Sequence, residues 1–255
     1  ATVNAAADLR LADCLWNCKG GSTSVRYGSS LAFTRGMLTN TLLQVGDKYG
    51  GALVFSGGEH YPGSLGIGDS TYQASGAITS MVRQTAGLVF LPSTSSGRVA
   101  MSGSANQTTA LVLDGGVFSA GGIYGAEGAL SRGGSGYVLF SADGGTLRIN
   151  AAVTPDANAS CALQHLDRAE FGANGLTLDS NGYNLGAIQS FTNKEGQEGL
   201  LVKTGAGTFT LSAPSYDVAR TRVEGGTLLV TNKTALLATA LAVTNGATFS
   251  LIGTA

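Results

Sequence analysis

Apolar and polar residues alternate along much of this chain, in short runs that restart after a glycine. In GGTLLVTN (225–232), Leu228 and Val230 fall on one side and Thr227, Leu229 and Thr231 on the other. In KTGAGTFTLS (203–212), Phe209 and Leu211 share a side against Thr208 and Thr210. In GGTLRIN (144–150), Leu147 and Ile149 oppose Thr146 and Arg148. A period of two is the signature of a half-buried strand. The pattern predicts many short strands, with the first-named set facing inward and β-branched threonines outward.

The runs recur. Glycines 28, 58, 87, 116, 145, 175, 207, 226 and 246 each precede such a run, at steps of 30, 29, 29, 29, 30, 32, 19 and 20 residues. The member after Gly58, EHYPG, is the weakest and does not read as a strand. LDGGVFSA (113–120) and ADGGTLRI (142–149) are close matches one step apart, and VEGGTLLV (223–230) repeats the phrase. LQVGD (43–47) and LGIGD (65–69) echo each other at 22 residues. Such periods predict a solenoid, in which each coil buries its apolar face against its neighbours. Eight or nine coils, about 4.8 Å apart, would make a rod of roughly 40 Å. An antiparallel sandwich or barrel also has many short strands; the near-identical glycine phrases favour repetition.

Composition agrees. Glycine is 39 of 255 residues and proline only 4, which suits tight turns rather than a collagen or a proline-rich linker. Charged residues are 12% and the net charge is −1, with no basic run, so nucleic-acid binding has no electrostatic footprint. No apolar stretch has the length of a membrane-spanning helix. Aromatic residues, at 7%, are not placed as the girdle of a membrane barrel.

The segment GLLVKTGAGTFTLS, then TRVEGGTLLVTN, then LAVTNGATFSLIGTA resembles the bacterial autotransporter-associated β-strand repeat. The matching positions are Gly199, Leu200, Lys203, Thr204, Gly205, Gly207, Thr208, Phe209 and Leu211, then Val223, Gly226, Thr227, Leu228 and Val230, then Asn245, Gly246, Ala247 and Thr248. The intervening loop SAPSYDVARTR lacks the Gly-Gly-Thr-Thr usual in that family. The resemblance spans about 199–253 and implies an all-β, single-stranded right-handed parallel β-helix (β-solenoid) in the passenger of a large secreted or surface protein. It implies no catalytic residues and no cofactor.

The expected organisation follows. Residues 1–27, which hold Trp16, are an N-terminal cap or irregular segment, and 28–255 are solenoid coils. Residues 155–170 form a loop or helical insertion, with Ala159, Leu163 and Leu166 at helical spacing. The chain reads as a fragment of a longer polypeptide.

Candidate chemistry is sparse. Cys14 and Cys18 are candidates for a local disulfide in an oxidising compartment; they lack the Cys-x-x-Cys spacing of a redox pair. Cys161 reads as a buried apolar residue. No metal site is expected, because the two histidines are isolated. Glu59, His60 and Tyr61 read as an exposed loop rather than acid–base machinery. Asp47, Asp69, Asp114, Asp143 and Glu224 flank glycines and suit turns. Asn106, Asn158 and Asn232 head glycosylation sequons. The expected role is therefore a structural or adhesive extracellular segment, not an enzyme, that contacts glycans, host or neighbouring surfaces, or itself through its coil ends. The alternative is a polysaccharide-cleaving lyase or glycoside hydrolase, which would need clustered carboxylates.

Overall fold

A computed structural model describes residues 2–3, 8–47, 49–68, 76–92, 99–102, 105–125, 136–151, 162–212, 216–232, 239–244 and 246–252. These residues contain strands and no helix. The strand pairings among them are parallel, which sets aside the antiparallel sandwich or barrel.

The strands stack in three ladders, visited in a fixed order. The first holds Asp8–Leu11, Ser30–Phe33, the opening of Gly51–Pro62, the opening of Ile78–Phe90, Gln107–Leu113, Tyr137–Ala142, Arg168–Phe171, Phe191–Asn193 and Tyr216–Asp217. The second can be traced along one side of its strands, outward except at the buried Val202, from Leu15 through Met37, Glu59, Leu88, Val117, Thr146, Thr177, Val202 and Arg222 to Ala242. The third is traced from Thr23 through Leu43, Leu65, Val99, Ile123, Leu163, Ala187, Leu211 and Val230 to Leu251. The second ladder has ten rungs on that trace, about 43 Å at 4.8 Å per step. The offset between rungs is 22 residues at Ser30–Ala52, 29 at Thr108–Tyr137 and 20 at Leu200–Arg220.

Inward residues are as the alternation predicts: Leu147, Ile149, Phe209, Leu211, Leu228 and Val230 are buried, while Arg148 is exposed. The first ladder sends two side chains per rung into the core; Leu31 and Phe33 lie on Leu53 and Phe55, like on like, whereas three later rungs alternate in size. Phe140 pairs with Ala142 on one rung, and Ala169 with Phe171 on the next. Phe191 with Asn193 follows. There a large side chain sits over a small one at each step, which fills the interior without collision.

The corner between the first and second ladders is paved with glycine. Gly58, Gly87 and Gly116 have φ of 83°, 80° and 73°. A Cβ on Gly87 would lie 2.5 Å from the carbonyl oxygen of Gly58, and one on Gly116 as close to that of Gly87. Only glycine meets both the positive φ and the backbone contact.

Three expectations are corrected. Residues 8–25 pair as rungs: Asp8–Leu11 lies on Ser30–Phe33, and Cys14–Val25 on Gly36–Val45, with a register shift between Cys18 and Ser22. Glu59–Pro62 of EHYPG are strand, the end of Gly51–Pro62. Within 155–170, Leu163–Gln164 and Arg168–Phe171 are strands rather than helix; Ala159 and Cys161 lie outside the described residues. Leu163 and Leu166 are both buried because a corner separates them. The Gln189 amide clamps that corner, accepting from the Leu166 N–H at 2.9 Å and donating to its carbonyl at 3.1 Å.

Candidate functional site

The inward column of the second ladder runs Leu38, His60, Val89, Phe118, Leu147, Leu178, Lys203 and Val223, and Val243, which is exposed, continues it on the next rung. Seven of these nine residues are aliphatic or aromatic hydrocarbon. The other two are ionisable, and both are fully buried.

His60 packs against the rings of Phe33 and Phe55, at centroid distances of 5.1 and 4.3 Å, and those two rings stack on each other at 5.9 Å. Its Nε2 donates to the Gly57 carbonyl at 2.8 Å, so Nδ1 is the bare nitrogen, and Nδ1 has no partner. Burial pushes its pKa below the usual 6.5, and the bond to Gly57 opposes this only in part. The exposed Glu-His-Tyr loop read from the sequence is thus corrected. Glu59 and Tyr61 point out, bonded to each other at 2.7 Å, and His60 between them points in, as alternation on a strand requires.

Lys203 places its ammonium at the corner between the second and third ladders. It donates to the carbonyls of Thr204, Gly205 and Gly225 at 2.8, 2.9 and 3.0 Å. All three ammonium donors are used. Burial lowers its pKa to about 8, partly offset by Asp179. The sequence marks Lys203 within the repeat phrase, but only the register shows it facing the core.

Outside the same ladder, Asp13, Cys14, Leu15, Gly36, Met37, Gly58 and Glu59 line a shallow open groove. Leu15 is 66% exposed, and Tyr61 and Phe90 lie beyond it with ring centroids 6.2 Å apart. At another corner Tyr27 and Tyr49 stack at 5.4 Å, and the Asp47 carboxylate accepts the backbone N–H of both.

Cys14 and Cys18 are thiols, and the disulfide expected between them is not formed. They stand four residues apart on one extended strand, which separates their Cα atoms by about 13 Å. A disulfide needs less than about 7 Å.

The carboxylates singled out from the sequence do not converge. Asp47 holds the two tyrosine amides, and Asp114 pairs with Arg83 at 2.6 Å. Asp143 accepts the Asn174 N–H at 2.8 Å, and Glu224 pairs with Arg222. Asp69 and Asn158 lie outside the described residues. Asn106 is exposed on a turn with φ of 65°. Among the described residues no group of three or more His, Cys, Asp or Glu side chains is placed to hold a metal ion. No helix there is long and apolar enough to cross a membrane.

Comparison with family models, curated proteins and solved structures finds no match to this chain.

Proposed function

We propose that this chain is a right-handed parallel β-helical segment of a large bacterial surface or secreted protein of the autotransporter-passenger type. It acts as a stiff rod for display, adhesion or assembly. The observation that carries this reading is the stacking of its repeat phrase. Thr208, Thr227 and Thr248 occupy one position on three successive rungs, and Phe209, Leu228 and Phe249 the next inward one. The phrases resembling the autotransporter repeat therefore sit one above another, each supplying the same inward residue type. A fixed visiting order of three parallel ladders is what a single-stranded helix of strands requires.

The reading is non-enzymatic. Its support is that Asp47, Asp114, Asp143 and Glu224 are each tied to an arginine or a backbone amide, where they serve the stack. Contacts with glycans, host surfaces or neighbouring rods would fall on the long outer faces, where Leu15, Met37 and Phe90 are exposed. Protease shaving of intact source cells, with peptide identification, tests the proposal. Peptides of this segment are expected in the surface or secreted fraction, from a parent several times longer. Their confinement to the cytoplasmic fraction would overturn it. Sugar release from polysaccharides, abolished by Asp143→Asn or Glu224→Gln, would instead favour the lyase or hydrolase.

A further inference from the structure

His60 is a costly residue for an inward position of the proposed rod, where its one polar contact is the bond to the Gly57 carbonyl. It occupies an inward position between Leu38 on one side and Val89 on the other, and the stacked Phe33 and Phe55 rings both pack against it. A neutral imidazole fits there with a single hydrogen bond. A second proton would go to Nδ1, which has no acceptor.

We propose that His60 is an acid-sensitive release built into the first half of the stack, holding the rungs around residues 30–90 closed when neutral and loosening them when protonated.

Among the described residues no neighbouring group would rescue the imidazolium. Ser30–Phe33 and Gly36–Val45 contain no ionisable residue, and Ile78–Phe90 contains only Arg83. Arg83 is exposed and paired with Asp114. On its own strand the ionisable neighbours are Glu59, which is exposed, and Tyr61, bonded to Glu59 on the outer face. Arg35, between the first two of these strands, is exposed and paired with Asp13 at 2.5 Å. The faces of Phe33 and Phe55 offer a cation some attraction, but less than the hydration it would lose. Burial accordingly shifts the group downward.

The direction follows by linkage. The opened chain takes up the proton at about 6.5, the closed one only at lower pH. Stability is fully present above 6.5 and falls as pH drops toward the folded-state value. In that interval the opened population grows by up to about tenfold per pH unit. The window opens at about 6.5, above the ordinary carboxylate range, which separates its onset from general acid unfolding.

Hydrogen exchange of the intact chain at pH 7, 6 and 5, corrected for intrinsic rates, reads the effect. Protection of amides at 30–33, 36–45, 51–62 and 78–90 is expected to drop by up to about tenfold per unit below 6.5, while amides at 200–230 hold. His60→Phe is expected to abolish the drop, and His165→Gln to leave it. Uniform loss, no loss, or the same loss in His60→Phe would overturn the proposal. If His60→Phe does not fold, NMR titration of the wild-type imidazole decides: proton uptake below 6.5 supports it, and uptake at or above 6.5 overturns it.

Discussion

The ammonium of Lys203 donates to the carbonyl of Gly225 at 3.0 Å, although 22 residues separate them. Val223 is the rung partner of Lys203, so the bond ties one corner of the stack to the next. Two effects compete at this site: a buried charge is costly, and three carbonyls depend on it. Lys203→Met removes the charge but leaves the carbonyls without their donor. We expect a net loss of about 1–3 kcal/mol at pH 7, read by urea unfolding.

The same residue sets an alkaline dependence. Its pKa is about 8 when folded and about 10.4 in an unfolded chain. Between those values the unfolded state holds more protons, so stability rises with pH. Wild-type protein should gain stability from pH 8 to 10, and Lys203→Met should lack that gain. A wild-type curve that falls across the interval would contradict the assignment.

The size complementarity of the first ladder gives a test of register. Phe140→Ala should cost about 3–5 kcal/mol through the cavity it leaves. Ala142→Phe alone should cost about 1–3 kcal/mol by overpacking. Since both side chains face one rung interior, the double variant should be more stable than the sum of the two changes. Strict additivity would mean that the two positions do not share that space.

The glycine corner separates conformation from contact. Gly182 has φ of 84° with nothing within 4 Å of a built Cβ, while Gly87 has φ of 80° with backbone at 2.5 Å. Gly182→Ala should cost about 1–2 kcal/mol, the left-handed penalty alone. Gly87→Ala should cost clearly more, because the Gly58 backbone must also move. Thermal unfolding of the two variants side by side checks the difference.

Alternation and repetition made the strands and the inward set legible, because both are written in residue order. The 22-residue echo of LQVGD and LGIGD is a true rung step, since Leu43 lies on Leu65 and Val45 on Ile67. The 29-residue steps through Gly58, Gly87 and Gly116 are equally real. Two steps are not. Gly28 corresponds to Gly50, whose carbonyl accepts its N–H at 3.1 Å, and not to Gly58. Gly175 precedes a second-ladder strand, whereas Gly207 precedes a third-ladder one. Even VEGGTLLV, which copies ADGGTLRI in sequence, turns the next corner instead of the same one. Glycine phrases mark corners but do not say which of three. His60 and Lys203 were obscured for a related reason: polarity pointed outward, and only the neighbouring rungs placed them inside.

The central claim is that outward residues of the second ladder climb one rung at a time. Pulsed electron spin resonance between labels at fixed rung separations measures this most directly. Met37 and Thr146 are four rungs apart, and Met37 and Arg222 seven. With the native cysteines replaced and labels at these positions, the account predicts distances of about 19 and 34 Å, within the reach of the label arms. Two similar distances, or a shorter one for the seven-rung pair, would contradict it.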